Sequence, residues 1–281
     1  MKEETRRLLR RYNLWPRKRL GQHFLVDESA LARIVAAAEL SRDEAVLEVG
    51  AGLGTLTRAL AAAAGWVVAV EVDPHLMAAL SQELADLTNV RLVEGDILKL
   101  DPAALMEERP YKVVANLPYG ITAAVLRHLL EARVPPDRMV VTVQREVAER
   151  IVAREGRMSL LAVSVHFYGE PRILFRLKPG AFYPRPEVES AVVRIDRHPQ
   201  PPVDVQDTAA FFRVVRAGFS QPRKQLRNSL AAGLGISPDE AVEALRGAGI
   251  DPLLRAERLR LEDWGRLVNQ VLRRSGNPVT G

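Results

Sequence analysis

The 281-residue chain contains no cysteine, which excludes a disulfide framework, a thiolate nucleophile and any cysteine-ligated zinc or iron–sulfur centre. Its five histidines, at 23, 75, 128, 166 and 198, show no HExxH or comparable ligand spacing, so no metal is expected. There is no run of about 18 uninterrupted apolar residues. The basic start of the chain lacks the apolar stretch and cleavage site of a signal peptide. A soluble, cytoplasmic protein with no membrane partner is the expectation. Aromatics are scarce, at 5%, so the position of each carries information. Internal repeats and low-complexity tracts are missing, and with no long heptad pattern to build a coiled coil a monomer is expected.

What is present is an apolar fraction of 47%, enough for one large domain and a small one, and an uneven charge. The formal net charge is +5, but residues 1 to 20 carry eight Lys/Arg against two Glu, among them Arg17, Lys18 and Arg19. Residues 211 to 229 carry Arg213, Arg216, Arg223, Lys224 and Arg227 and no acid. The stretch between the two clusters is acidic. Basic clusters flanking an acidic body suit a phosphate-binding surface around a separate catalytic region; solvated basic helix faces are the plainer alternative.

Between about 45 and 145, short β-rich runs alternate with Ala/Leu-rich helical patterns, which predicts a parallel sheet wound with helices. The strands are expected at 46–50, 67–73, 90–96, 112–118 and 138–144, with two more at 171–177 and 190–196, seven in all. Their near-continuous apolar character fits strands buried on both faces. Helices are expected at 53–64, 74–87, 122–132, 145–153 and 159–167, the last despite a β-rich composition. The proline-rich run 198–204 reads as a linker. Beyond it, patterns at 206–219, 222–232, 238–247 and 262–273 make a small helical domain. The expected organisation is a basic extension at 1–20, a catalytic domain at 21–197, the linker, and a helical domain at 205–281.

The run Glu48-Val49-Gly50-Ala51-Gly52-Leu53-Gly54 ends the first strand and opens a helix. Glycines there let the backbone turn sharply and approach a ligand, although packing glycines in an ordinary α/β turn look the same. Thr55 stands where the dinucleotide fingerprint requires its third glycine, which disfavours a pyrophosphate. Glu71, at the end of the second strand, can accept both hydroxyls of a ribose. Asp96, at the end of the third, can accept from an adenine amino group. Acids at three successive strand ends repel a polyphosphate and tolerate a sulfonium cation. The combination favours S-adenosyl-L-methionine over NAD; helix capping by Glu71 and Asp96 is the alternative.

Asn116-Leu117-Pro118-Tyr119 ends the fourth strand, at the sheet edge where open α/β proteins place their chemistry. The lone pair of an adenine N6 is delocalised into the ring and is a poor nucleophile. An Asn side-chain oxygen and the Leu117 carbonyl can accept its two N–H bonds and aim the lone pair at a methyl group. Pro118 restrains the chain, and Tyr119 offers a ring on which an extruded base stacks. Positioning then supplies most of the catalysis. In Phe182-Tyr183-Pro184-Arg185-Pro186, Phe182 can cover the other face of the base or pack in the core, and Arg185 can hold a phosphate.

These blocks resemble the ribosomal RNA adenine dimethyltransferases, and most closely the small-subunit (16S) members. The likeness runs from Lys18-Arg19-Leu20-Gly21-Gln22-His23-Phe24-Leu25 to Arg223-Lys224-Gln225-Leu226-Arg227-Asn228-Ser229-Leu230. It passes through EVGAGLG at 48–54, VEVD at 70–73, EGD at 94–96, NLPY at 116–119, QREV at 144–147 and SAVVR at 190–194. The resemblance implies a class I S-adenosylmethionine-dependent methyltransferase fold: a seven-stranded, mostly parallel sheet with helices on both faces, plus the C-terminal helical domain. It implies that His23, Leu25, Gly50, Glu71, Asp96 and Asn116 contact the cofactor, with Gly52 in the same loop, and that NLPY and Phe182 enclose the target adenine. The substrate it implies is two adjacent adenosines near the 3′ end of 16S rRNA in a precursor of the 30S subunit. There are two departures from the family pattern. His23 stands where Asn is usual, and Glu187 where Lys is usual.

Overall fold

The computed structural model describes residues 1–274. Its elements begin with α1 (Lys2–Arg11), β1 (Phe24–Leu25), α2 (Glu28–Ala38), β2 (Ala45–Val49), α3 (Thr55–Ala63), β3 (Trp66–Glu71), α4 (Pro74–Glu83), β4 (Val90–Glu94), α5 (Pro102–Leu105), β5 (Tyr111–Asn116), α6 (Thr122–Leu130) and β6 (Arg138–Gln144). They continue with α7 (Arg145–Ile151), α8 (Leu160–Tyr168), β7 (Gly169–Leu177), β8 (Phe182–Tyr183), β9 (Ser190–Arg197), α9 (Thr208–Phe219), α10 (Leu226–Leu234), α11 (Pro238–Gly247) and α12 (Leu261–Arg274).

Seven strands form one sheet in the order β4-β3-β2-β5-β6-β9-β7. The pairs from β4 to β6 are parallel and β9 is antiparallel to β6. All seven strands expected from the sequence are therefore present. β2 is buried along its whole length, as expected of a strand with both faces covered. From β2 the chain winds outward through β3 to β4 and then returns to β5 on the other side of β2. The strand order thus reverses between β2 and β5, and such a switch point opens a crevice at the carboxyl ends of the strands. The glycine loop, Glu71 and Asn116 all lie at those ends.

Local chemistry sets the helix starts. Asp73 accepts the His75 N–H at 3.1 Å and is followed by Pro74 at the first helical position of α4, where a missing N–H costs nothing. Ser159 accepts the Ala162 N–H at 3.2 Å, which starts α8 as a helix in spite of its β-rich composition. Three helices were not anticipated: α1, α2 and α5. In α2 the signal was there, since Asp27 caps it through the Ala30 N–H and Ala30, Ile34 and Ala38 are buried at four-residue spacing.

The chain divides into two compact units, one of Met1–Glu149 with Pro171–Arg197 and one of Arg150–Glu170 with the chain from His198 onward. The expected basic extension belongs to the first unit: Leu8 and Leu9 of α1 are buried with Phe24, Leu53 and Leu76. The chain changes unit between Arg197 and His198, where the linker was expected, but 150–170 groups with the helical unit and not with the sheet-bearing one. The reason is aromatic packing. Phe167 of α8 lies 4.6 Å from Phe211 and 5.1 Å from Phe212, ring centre to ring centre, in a buried cluster with Leu245, Trp264 and Leu267. Residues 275–281 of the expected helical domain lie outside the described residues.

Candidate active site

A cleft opens at the switch point, lined among others by His23, Leu25, Glu48, Gly50, Gly52, Glu71, Val72, Asn116 and Pro118. Its floor is the loop from β2 to α3. Gly50 and Gly52 take φ of +79° and +61°, conformations that an L side chain enters at a cost. A Cβ on Gly52 would also stand 3.1 Å from the Phe24 ring. The loop is tied to its neighbour, with the Gly52 N–H donating to Glu71 Oε2 at 2.8 Å.

Glu71 is held by three backbone donors, since Oε1 also accepts from the Val72 and Asp73 N–H groups at 3.0 Å each. Burial raises its pKa and those three bonds oppose the rise. Glu48 is a different case. It is 1% exposed, and burial pushes its carboxyl up to about 8, with the nearby Glu71 adding to the rise and Thr57 offsetting part of it. No hydrogen bond of normal geometry links Glu48 to Thr57, and Glu48 Oε2 and Thr57 Oγ1 have no partner among the described residues. The two carboxyls therefore divide: three N–H donors favour the ionised form of Glu71, and burial favours the protonated form of Glu48 at neutral pH. Of the three acids expected to face a sulfonium, one is neutral.

Asp96 lies just past β4 and is not among the residues that line the cleft. Its Oδ1 accepts the Leu98 N–H at 3.1 Å, so it caps the turn that follows, and capping uses one of its two oxygens. Val72, which the sequence reading passed over, lines the cleft with 47% of its surface exposed. A bare apolar side chain beside Glu71 is a surface on which a purine ring can lie.

Asn116 is fixed by a contact that the sequence did not reveal. Its Nδ2 donates to the His23 carbonyl at 2.8 Å, which leaves Oδ1 as the group turned to other partners. The Leu117 N–H donates to Thr142 O at 3.1 Å, while nothing among the described residues engages the Leu117 carbonyl. Pro118 O accepts from Ile121 N and from Thr122 Oγ1, each at 3.2 Å. The Tyr119 hydroxyl is 2.7 Å from Ser190 Oγ, and burial raises its pKa, so the phenol stays neutral.

His23 stacks on the Tyr119 ring with centres 5.4 Å apart, and its Nδ1 lies 2.8 Å from Pro184 O. A carbonyl can only accept, so Nδ1 carries the proton. The gap is narrower than the roughly 7 Å that a base sandwiched between two rings requires, so one face of Tyr119 is taken by His23. Phe182 does not supply a second wall. It is 2% exposed, pairs with Leu25 in the β1–β8 ribbon and lies in the core with Ile34 and Leu177. Of its two sequence readings, core packing is the one realised, because residues opposed in a ribbon share one face. The two-residue strands β1 and β8 are too short to leave a periodic signal.

The two basic clusters differ. Arg6 and Arg7 pair with Glu3 and Glu4, Arg11 with Glu83, and Arg17 with the buried Asp73 at 3.4 Å. By contrast, Arg213, Arg216, Arg223 and Lys224 are exposed and Arg227 half-buried, and none of the five has an acidic partner among the described residues. Arg185 and Glu187 are both exposed.

The parallel sheet with its switch-point cleft, the glycine loop bonded to a strand-end carboxylate, and the Asn-Leu-Pro-Tyr turn define a class I S-adenosylmethionine-dependent methyltransferase. A family model described as ribosomal RNA adenine dimethylase matches residues 14–272, and the chain belongs to that family. It is 48% identical, over 98% of its length and 94% of the relative's, to the ribosomal RNA small subunit methyltransferase A of Dehalococcoides mccartyi. Among solved structures it is similar to the 23S rRNA methyltransferase ErmE, with 31% identity, a TM-score of 0.69, and coverage of 88% of this chain and 98% of that one. A dimethyladenosine transferase from Plasmodium falciparum, 21% identical, shares the fold with a TM-score of 0.76, covering 90% of this chain and 98% of that one.

Proposed function

We propose that the chain dimethylates the N6 amino groups of two adjacent adenosines near the 3′ end of small-subunit ribosomal RNA, acting in the cytoplasm as a monomer on a precursor of the 30S subunit. The observation that carries this reading is the Asn116 amide, whose donor is occupied by the His23 carbonyl so that its oxygen is left to accept from an amino group.

The cleft residues fit S-adenosylmethionine. Glu71 keeps acceptor capacity for ribose hydroxyls, Val72 offers an apolar bed for the purine, Asp96 Oδ2 can take the purine amino group, and the side-chain-free Gly50 and Gly52 admit the donor close to the backbone. Leu25 and His23 bound the methionine end. When bound, S-adenosylmethionine supplies an electrophilic methyl group on sulfur. Asn116 Oδ1 and the Leu117 carbonyl accept the two N6–H bonds and draw the nitrogen towards tetrahedral geometry, with its lone pair facing that methyl. Tyr119 presents the ring face opposite His23 to the base. Once methylated, the nitrogen would be far more acidic than the free amine and would release its proton to water. No side chain has to be recruited as a strong base, and the protonated Glu48 and the neutral Tyr119 phenol agree with that. Holding the reactants in line supplies most of the rate. The unneutralised cations of 213–227 suit phosphate contacts.

Large-subunit methylation is the nearest rival, because ErmE is named for it; the small-subunit name of a relative matched over nearly the full chain favours the present reading. Labelled methyl transfer to 30S subunits, bare 16S rRNA, 23S rRNA and duplex DNA in parallel tests it. Transfer to small-subunit RNA is expected, and transfer to 23S rRNA or DNA alone refutes it. Asn116→Ala is expected to abolish transfer with RNA affinity little changed; retained transfer refutes the site.

A further inference from the structure

Trp15 is 80% exposed, the most exposed large apolar side chain among the described residues and the one aromatic among the exposed ones. Single exposed apolar residues are ordinary, but tryptophan is the costliest to leave in water, and a loose tail is not the explanation here. The segment is pinned on both sides. Before it, Leu8 and Leu9 are buried against Phe24 and Leu76, the Tyr12 hydroxyl donates to Glu83 at 2.7 Å, and the Leu14 N–H reaches Leu9 O at 2.8 Å. After it, the Arg17 N–H donates to Gln22 Oε1 at 2.7 Å and the Arg17 side chain pairs with Asp73. The indole is thus a bare ring on a fixed mount.

Its surroundings state what it would meet. Trp15 borders a shallow hollow that it shares with Tyr12, Arg17 and His75, and three residues of that hollow, Gln22, Phe24 and Leu76, also line the methyl-transfer cleft. Arg10 and Arg19, exposed on either side of Trp15 in the chain, have no acidic partner among the described residues. A flat exposed ring in a basic segment suits single-stranded nucleic acid, where cations meet phosphates and a base stacks on the ring.

We propose that Trp15 is a stacking platform for one unpaired nucleotide of the RNA substrate, outside the reacting site. The proposal rests on the chain acting on RNA. The measurement is tryptophan emission in a Trp66→Phe background, where Trp15 is solvent-exposed and Trp264 is fully buried, titrated with octa-adenylate RNA. Saturable quenching is expected, and the Trp15→Phe change should remove it. In steady-state transfer to 30S subunits, Trp15→Ala should raise the KM for the subunit about tenfold, as the loss of one stacked base does. It should leave kcat, the KM for S-adenosylmethionine and the melting temperature unchanged. Trp15→Phe should restore most of the loss. An unchanged subunit KM overturns the proposal. So does a raised KM for S-adenosylmethionine, which would make Trp15 a cover over the cofactor. Asn116→Ala should quench normally, so a chain that binds the oligonucleotide but methylates no small subunit refutes the functional reading and leaves this one standing.

Discussion

Glu48 offers the sharpest physical test, because its burial converts directly into a pH dependence of stability. A carboxyl of pKa 4.5 in the unfolded chain and about 8 in the folded one is ionised only in the unfolded state across the interval between those values. The unfolded chain then binds fewer protons than the folded one, so stability falls as pH rises through the interval and levels off above it. At about 1.4 kcal/mol per unit, Glu48 contributes almost no penalty below pH 4.5, about 3 kcal/mol at pH 7 and about 5 kcal/mol above pH 8. Glu48→Gln keeps the shape and removes the titration. In urea unfolding at pH 5, 7 and 8.5, followed through the transition of the sheet-bearing unit, the variant should gain on the wild type by about 2 to 3 kcal/mol between pH 5 and pH 7. It should gain further at pH 8.5. A stability difference that stays constant across the three values would mean that Glu48 ionises normally, and would refute the division of charge between Glu48 and Glu71.

Gly52→Ala places a Cβ at positive φ and 3.1 Å from Phe24, which should destabilise the protein by about 1 to 3 kcal/mol. It should also weaken S-adenosylmethionine binding at least tenfold by titration calorimetry; a stability loss with unchanged affinity would separate this loop from the cofactor. Removing the unpaired cations Arg213 and Arg216 together should lower the slope of log affinity against log salt for 16S rRNA by about 1.5. An unchanged slope would mean that α9 does not face phosphate.

The sheet was legible because its five inner strands are mostly buried and leave near-continuous apolar runs, and the glycine loop was legible because glycine spacing is a local property. Asn116 was found from its neighbours Leu117, Pro118 and Tyr119, but the contact that orients it, with the His23 carbonyl, joins distant parts of the chain and has no sequence signature. Phe182 shows the same limit from the other side. The motif placed an aromatic near the target base, whereas its pairing with Leu25 decided which way the ring turned. The grouping of 150–170 with the helical unit depends on Phe167 meeting Phe211 and Phe212, and periodicity within α8 does not say which core it joins. Charge counting treated the two basic clusters alike, while the structure pairs half of the first with Glu3, Glu4, Glu83 and Asp73 and leaves the second without acidic partners among the described residues.

The ribbon of Phe24–Leu25 against Phe182–Tyr183 closes a loop of more than 150 residues with two residues on each side. A ladder that short is marginal by itself, and the His23 contacts to Pro184 and Asn116 are what complete it. The ribbon and the Asn116 turn are therefore tied through one residue. In the proposed site, with the donor against Leu25 and the RNA base against Tyr119, both ligands would touch elements joined by His23, and any effect of one on the affinity of the other would be reciprocal.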